Sequence, residues 1–249
     1  LIVFSSGPML SQYPFLFASA ALVILVAVCS LSWNWPKRLL LAVALVNAPL
    51  GVLEVFFVPE YWEPKKLFDW IVGPEDFLFS GAVGVVGWIA AFGSSRGVQW
   101  SRDLRQVLLR FLSLFFSYVA GLWVLDSTSI RVMPAAIIVL IMMGAALGFY
   151  RRELLKYVAR GALYFTLFYF VFLRVSFSVW SDWVYEWNLE EMWSLRIFGG
   201  PIEELLWAIL YGAVSPLATG YILNILPPDS PIERGPIVSD RRLPSLRRR

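Results

Sequence analysis

The 249-residue sequence is 59% hydrophobic and 16% charged, whereas a soluble domain averages about 45–50% apolar and about 25% charged residues. This composition excludes an ordinary soluble domain and indicates an integral membrane protein. The absence of His, together with a single Cys, excludes an internal disulfide, a Cys-ligated metal site and His-dependent catalysis. The net charge of +3 lies mostly near the C-terminus, so we interpret it as a topology signal and expect no nucleic-acid partner.

Seven apolar runs are long enough to cross the hydrocarbon layer of a bilayer, which is ~30 Å thick and needs about 20 helical residues. The predicted fold class is therefore all-α, an integral membrane bundle of seven transmembrane helices. No short cleavable signal is expected before the first of them. The spans are predicted at about 13–32, 38–58, 76–92, 107–125, 132–150, 161–180 and 201–223.

The charges between the spans predict how the chain crosses the membrane. Odd-numbered loops are basic, whereas even-numbered loops are mixed or acidic. By the positive-inside rule, the N-terminus lies outside the cell membrane and the C-terminus in the cytoplasm. Residues 227–249 are rich in Pro and Arg, so we predict a disordered basic tail after a membrane domain at 1–226. The deciding charges are Lys37 and Arg38 in loop one, Arg96, Arg102 and Arg105 in loop three, Arg151, Arg152, Lys156 and Arg160 in loop five, and Asp182, Glu186, Glu190 and Glu191 in loop six.

A weak internal repeat relates spans one to three (about 13–93) to spans five to seven (about 132–223), with span four (about 107–125) as a connector. In each half, an aromatic and acidic loop follows the second span, at 59–64 and at 180–187. The third span of each half then begins with a Gly-Pro turn and two acids. Sites in repeated membrane folds tend to form where the repeats meet, so we expect the two acid pairs to approach each other at the outer side.

The acid pairs are the main candidates for chemistry. Pro followed by acids is an ordinary helix start, so one interpretation is a capped helix end with solvated acids. The other is functional, because charge inside a membrane is costly and a close pair could hold one proton near neutral pH. Adjacent helical residues point about 100° apart, so at most one of each pair faces a given cavity squarely. The stretches read Gly73-Pro74-Glu75-Asp76-Phe77-Leu78-Phe79 and Gly199-Gly200-Pro201-Ile202-Glu203-Glu204-Leu205-Leu206-Trp207.

Aligning the two prolines places Asp76 opposite Glu203 and Glu75 opposite Ile202, which favours Asp76 as the inward acid of the first pair. Glu54, late in span two, is a further site candidate, although a water-facing position at the end of the span is equally open.

Other polar groups lie within the spans. Arg174 interrupts an apolar span, where it pairs with an acid or snorkels outwards. Asn47 lies deeper and could hydrogen-bond between helices.

Aromatic residues are concentrated around the acid stretches. A ring face beside a strong acid suits a passing cation, although an outer aromatic belt is the simpler interpretation. Phe79, Trp70 and Trp207, together with Glu54 and Arg174, are the candidates for substrate contact. The Trp residues of this group are Trp62, Trp70, Trp180, Trp183, Trp187, Trp193 and Trp207.

Taken together, the duplicated acid stretches and the seven spans resemble the membrane-integral lycopene cyclases of the heterodimeric or fused type. That family carries a Pro-x-Glu-Glu motif followed by aliphatic and aromatic residues at the start of a span in each half. The stretch from Pro201 to Trp207 fits the motif closely, and the stretch from Gly73 to Phe79 fits it loosely.

The resemblance implies a redox-neutral cyclisation of a lipophilic polyene, a carotenoid, within the lipid bilayer. An acid protonates a terminal double bond, the neighbouring double bond attacks the carbocation, and a base removes a proton. It implies Glu203 and Glu204 as the acid end, and Asp76 and Glu75 as base or electrostatic partner. No metal and no cofactor are implied, and a homo- or hetero-oligomer stays open.

Four other functions compete with this interpretation. A carotenoid hydratase, which adds water to the same cation, is the nearest enzyme, and a non-catalytic membrane subunit or scaffold is the main alternative outside enzymes. A retinal protein is excluded because it needs a Lys in the last span, and all four Lys residues lie in loops. A transporter is disfavoured because its acids would lie near the bilayer midplane.

Overall fold

The computed structural model describes residues 12–32, 35–93, 98–101, 103–188, 193, 195–197 and 200–226. The predicted basic tail at 227–249 lies outside the described residues, as do Gly199 and the loop residues Arg96, Arg102, Glu190 and Glu191.

Within this part of the chain, seven helical segments are long and apolar enough to cross a membrane. The predicted all-α membrane bundle is thereby confirmed. The second span is a composite of α2 and a following 3-10 helix, Ala48–Phe56, and a short 3-10 turn, Arg152–Leu154, precedes α6. The helices are α1 (Pro14–Ser32), α2 (Lys37–Asn47), α3 (Pro74–Phe92), α4 (Leu104–Asp126), α5 (Val132–Tyr150), α6 (Leu155–Val179) and α7 (Ile202–Ile222).

The switch to a 3-10 helix in span two begins next to Pro49, which has no N–H to donate to the α-helical ladder. A 3-10 helix rises about 2.0 Å per residue against about 1.5 Å in an α-helix, so the segment is longer and thinner. It packs on the start of α3, where a Cβ at Gly51 would lie 2.6 Å from the backbone carbon of Asp76. This close contact places Glu54 beside the acid-bearing end of α3.

The bundle is organised around α3 and α7, the two helices that open with acids. α3 packs on α1, α2, α6 and α7, while α7 packs on α5, α6 and α3. The α6–α7 contact is unusually close, because a Cβ at Gly161 would lie 2.3 Å from the carbonyl oxygen of Gly212. Pro216 inside α7 donates no hydrogen bond to that carbonyl. As predicted for Asn47, its side chain bridges helices, donating to the Thr219 hydroxyl of α7 at 3.3 Å.

Two loops close the end of the bundle at which α3 and α7 begin. We call residues 57–66 and 180–188 the cap; the second contains a 3-10 helix, Ser181–Glu186. The backbone N–H of Glu63 donates to the Glu186 carbonyl at 2.7 Å, and that of Asn188 donates to the Tyr61 carbonyl at 2.9 Å. The cap therefore joins the two halves of the chain. A two-residue antiparallel ladder, β1 (Arg196–Ile197) with β2 (Gly200–Pro201), leads into α7.

Candidate active site

All four motif acids are buried, with exposed fractions of 0% for Glu75, 2% for Asp76, 2% for Glu203 and 6% for Glu204. The interpretation of solvated acids at a helix end is therefore wrong. Each pair occupies the second and third positions of its helix, because α3 begins at Pro74 and α7 begins at Ile202.

The proline-based alignment of the two stretches is also wrong. Pro74 is the first helical residue of α3, whereas Pro201 is still extended, with φ −60° and ψ 142°, and pairs with Arg196 in the β-ladder. Counted from the helix starts, Glu75 corresponds to Glu203 and Asp76 corresponds to Glu204.

The first acid of each pair ties its helix to the preceding loop. Glu75 Oε1 accepts the backbone N–H of Leu67 at 3.0 Å, and Glu203 Oε1 accepts that of Trp193 at 2.6 Å. In both residues the other carboxylate oxygen is buried and has no hydrogen-bond partner within the described residues. Glu75 and Glu203 thus share one structural position in the two halves.

The second acids differ sharply, and in the first half the carboxylate is held by a cation. Asp76 forms a 2.7 Å ion pair with the buried Nζ of Lys66 and accepts the backbone N–H of Gly73 at 2.6 Å. Lys66 also donates to the carbonyl of Ile71. Asp76, favoured from sequence as the inward group, is thus engaged in an ion pair and does not line the main cavity.

The main cavity has a volume of about 240 Å³ and receives residues from all seven helices and from the cap. Its walls are largely apolar and aromatic. Two carboxyl groups of the described residues line it, Glu54 from span two and Glu204 from α7. Among the predicted substrate-contact residues, Phe79 and Trp207 line it as well. The bundle therefore brings one acid from each half to one apolar space.

Three donors converge on Glu204. The Tyr61 hydroxyl and the Trp187 indole N–H donate to its Oε1 at 2.8 and 2.9 Å, and the Tyr169 hydroxyl donates to its Oε2 at 2.6 Å. Burial raises the pKa of Tyr61 well above its usual value, and Glu204 raises it further, so Tyr61 keeps its proton and remains a donor. This arrangement suits a carboxylate anion inside an apolar site.

Glu54 has a simpler environment. It is half-buried and accepts the indole N–H of Trp62. The Trp62 ring lies 5.2 Å from that of Trp187, so the donors of the two carboxyl groups are neighbours in the cap. Glu54 was a candidate with an open alternative, and the structure places it at the cavity rather than on a water-facing surface.

Two predicted contact residues lie elsewhere. Trp70 is 62% exposed, stacks on Phe68 with ring centroids 4.8 Å apart, and does not line the cavity. Arg174 is exposed and lines a second, smaller cavity together with Glu204 and Tyr169. Sequence reasoning missed Lys66, Tyr61 and Tyr169 as parts of the site. Tyr61 could have been noticed within the aromatic loop at 59–64, but no local signal marked Tyr169.

Glu186 gives the cap a pH-dependent component. Burial raises the pKa of Glu186 from 4.5 to about 7, and the nearby backbone and charge of Lys65 act in the opposite direction. The neutral carboxyl is favoured in the folded cap. Its contribution to the stability of the fold is therefore full below pH 4.5 and is lost as the pH rises through about 7. We expect the thermal unfolding midpoint to fall across this window. Glu186→Gln should flatten that fall, and an equal fall in the variant would contradict the assignment.

No group of three metal-ligating side chains is found among the residues that the structure describes. The described residues that line the cavity supply two carboxyl groups, the phenol and indole donors around them, and aromatic walls.

Comparison with known protein families gives one match. Residues 126–222 match the family model described as lycopene cyclase. This match, over part of the chain, supports an assignment to the lycopene cyclase family. The matched segment covers α5, α6 and α7 and includes Glu204, so the predicted family resemblance is confirmed. At the level of the family, it supports an enzyme of carotenoid cyclisation. No curated protein and no solved structure matches the chain.

Proposed function

We propose that this protein cyclises the end group of an acyclic carotenoid of the lycopene type, with Glu54 and Glu204 as the reacting carboxyl groups. The observation that carries this proposal is that the two side chains, one from each half, line the same aromatic-walled cavity beneath the cap. The family match supports the class of reaction, and the cavity supplies the place for it.

The two carboxyl groups have different roles in this proposal. Glu54, with one donor at its carboxyl, carries the proton and delivers it to the terminal double bond of the polyene. The resulting tertiary cation is attacked by the neighbouring double bond, which closes the ring. Glu204, with three donors, is the anion that faces the cation and then accepts a proton from the ring carbon. One proton enters and one leaves, so the product is an isomer of the substrate.

This assignment revises the roles implied by sequence. Asp76 is paired with Lys66, and Glu75 and Glu203 hold loop N–H groups, so none of these three is presented to the cavity. In the proposal they maintain the helix starts that position Glu54 and Glu204.

The aromatic walls supply what a carbocation needs. Ring faces attract a cation by their quadrupole, an effect worth about 2 kcal/mol or more in a desolvated site. Tyr169 and Trp207 lie with ring centroids 5.2 Å apart, and both line the cavity next to Glu204. The indole rings of Trp62 and Trp187 cover the same space from the cap. These rings also exclude water, which would otherwise trap the cation.

The shape of the cavity fits a long polyene. Its lining residues on α7 extend from Glu204 to Ile222, a helical rise of about 27 Å at about 1.5 Å per residue. An extended apolar chain can therefore lie along α7 with one end group at the carboxyl groups.

Hydration is the second candidate function, and one feature favours it. The smaller cavity beside Glu204, lined also by Tyr169 and Arg174, has a volume of about 20 Å³. A space of about 10–15 Å³ or more is enough for one water molecule when polar partners are present. A water held there could add to the cation and leave a hydroxylated open-chain product.

The balance between the two products is predicted to depend on Trp183. This residue lies in the cap, is 4% exposed and lines the main cavity without a hydrogen bond to either reacting acid. Trp183→Leu should admit water and raise the ratio of hydroxylated to cyclised product about tenfold, because the cation is then less well shielded. Trp70→Leu, outside the cavity, is the matched control. An unchanged product ratio in Trp183→Leu would contradict the role of the cap.

We also propose the orientation predicted from the loop charges, with the cap on the outer side. A Cys introduced in place of exposed Trp70 is expected to react with a membrane-impermeant maleimide added to intact cells, with Cys29→Ser as the background. Labelling only after the membrane is permeabilised would show that the cap lies on the cytoplasmic side and would contradict the proposed orientation.

Pigment analysis of lycopene-producing cells that express the chain tests the proposed function. Ring-bearing products are expected from the native sequence, and lycopene should accumulate with Glu54→Gln. Hydroxylated open-chain products would favour the hydratase. Unchanged lycopene, with the protein present in the membrane, would contradict both enzymes and support a non-catalytic subunit.

A further inference from the structure

The inner half of the main cavity carries polar groups that cyclisation at Glu54 and Glu204 does not use. Ser215 and Thr219 line it about three and four helical turns from Glu204. Asn47, Tyr118 and Tyr211 line it as well. Hydroxyl and amide groups in a membrane interior normally bond to a neighbouring helix. Such groups along a substrate cavity therefore raise the question of what they bind.

Ser215 is the key residue of this group. It is 6% exposed, and its Oγ has no hydrogen-bond partner within the described residues. Ser30, Ser117 and Ser178 each donate to the backbone carbonyl four residues earlier in their helices. Ser215 does not take that bond. Its hydroxyl is therefore available to a molecule in the cavity.

The neighbours of Ser215 explain why its hydroxyl is unpaired. On α3 it faces Gly87, where an added Cβ would lie 3.1 Å from the Ser215 Oγ, so that side offers no polar side chain. Tyr211, one turn earlier on α7, is a polar neighbour of Ser215, but no contact of Ser215 Oγ with a described residue meets both the distance and the angle of a hydrogen bond. An unpaired buried hydroxyl is destabilising, and a ligand with a matching polar group would remove that cost.

One turn further along α7, a second polar pair is partly engaged. The Asn47 amide N–H donates to Val43 O at 2.8 Å and to Thr219 Oγ1 at 3.3 Å. These bonds use the donors of Asn47, and Thr219 acts as an acceptor. Asn47 lines the cavity, and its side chain also carries an amide oxygen, which is an acceptor. Together with Ser215, the wall thus offers both a donor and an acceptor, as a hydroxyl ligand requires.

We propose that this inner polar site binds the hydroxyl group of a linear prenyl alcohol whose apolar chain lies along α7 towards the carboxyl groups. Ser215 follows Glu204 by 11 residues, a helical rise of about 16 Å at about 1.5 Å per residue. An isoprenoid of about four units spans this distance between its hydroxyl and its terminal double bond. The inference goes beyond carotenoid cyclisation and shares with it only the cavity.

Equilibrium binding in detergent tests the site without relying on turnover. The probes are radiolabelled geranylgeraniol and its deoxy analogue, in which hydrogen replaces the hydroxyl. The native protein should bind the alcohol about fivefold to tenfold more tightly than the analogue, as expected for one buried hydrogen bond. Ser215→Ala should lose this preference and bind the analogue as before. Ser117→Ala, on the exposed face of α4, should bind both probes as the native protein does.

Equal binding of the alcohol and the deoxy analogue by the native protein would overturn the proposal. It would indicate that an ordered water, and not a ligand hydroxyl, is the partner of Ser215. A preference retained in Ser215→Ala would overturn it too. Unchanged binding of the analogue by Ser215→Ala shows that the variant is folded. Lycopene turnover is measured separately on the same preparations, so failure of the proposed cyclisation remains distinguishable from failure of this site.

Discussion

Replacing Glu204 by Gln is expected to lower the rate of ring formation by about 10²–10⁴-fold, the range associated with loss of a positioned acid–base group. The amide is nearly isosteric but carries no negative charge to face the cation and cannot accept the proton. Its oxygen can still accept hydrogen bonds from Tyr61 and Trp187, and its NH2 group can donate to the Tyr169 hydroxyl oxygen, so the fold should survive. The measurement is cyclised product formed per hour by purified protein, together with the thermal unfolding midpoint.

Glu203→Gln is the matched control for this variant. It changes a neighbouring buried acid on the same helical turn that does not line the main cavity. We expect the rate to change by less than about tenfold, because the group holds the Trp193 N–H and is not presented to substrate. An equal loss in both variants would indicate that the motif acts as one unit. Full activity of Glu204→Gln would contradict its catalytic role.

Replacing Lys66 by Met is expected to lower the stability of the protein by about 3–5 kcal/mol, the usual effect of removing one partner of a buried ion pair. Lys66 is almost fully buried, and its ammonium group pairs with Asp76 at 2.7 Å. Without Lys66, the carboxylate of Asp76 stays buried and has lost its ion-pair partner between the start of α3 and the preceding loop. The measurement is denaturant unfolding in detergent, followed by the fluorescence of the Trp residues in the cap.

The double variant Lys66→Met with Asp76→Asn separates charge from packing. If the uncompensated carboxylate is the cause, the second substitution should recover most of the lost stability, because the buried charge is then absent. No recovery would indicate that Lys66 acts through its contact with the Ile71 carbonyl or through packing of its aliphatic chain.

The membrane bundle was predictable from sequence because a bilayer imposes simple requirements. A span must satisfy its own backbone hydrogen bonds and cover about 30 Å, so apolar run length alone marks each helix. The predicted span at 132–150 coincides with α5, and the other spans differ from the predictions by a few residues at most ends. The largest difference is α6, which begins at Leu155 rather than 161, because amphipathic turns rich in Arg and Lys continue the helix beyond the apolar run.

The acids were predictable as a group, but their individual environments were not. The hydrogen bonds to Glu204 come from Tyr61 and Tyr169, which lie 143 and 35 residues away in the chain. Only the packing of α6 and the cap onto α7 brings these residues together. Which residues of the two motifs correspond depends on where each helix begins. In the second motif, a two-residue β-ladder keeps Pro201 extended and outside α7. Such a short ladder has no sequence pattern, so aligning the two prolines misplaced the pairs by one residue.

Trp70 illustrates the limit of clustering in sequence. It lies near the first acid stretch, but its ring stacks on Phe68 at the surface and away from the cavity. By contrast, Trp62 and Trp187 are far apart in sequence and meet as an isolated β-bridge in the cap, where their indole N–H groups donate to Glu54 and Glu204. The aromatic content of the sequence predicted that aromatic rings line the site. Which rings line the cavity depends on the tertiary structure.

Deuterium incorporation tests the central claim most directly, namely that a protein carboxyl group protonates the polyene and a second one removes a proton. The purified protein is preincubated in D₂O. Lycopene is then added in a smaller amount than the protein, so that each protein molecule turns over at most once. We predict that every ring formed carries one deuterium and that the mass of the product rises by one unit per ring. Rings without deuterium, or lycopene that remains unchanged, would contradict protonation by exchangeable carboxyl groups in this cavity.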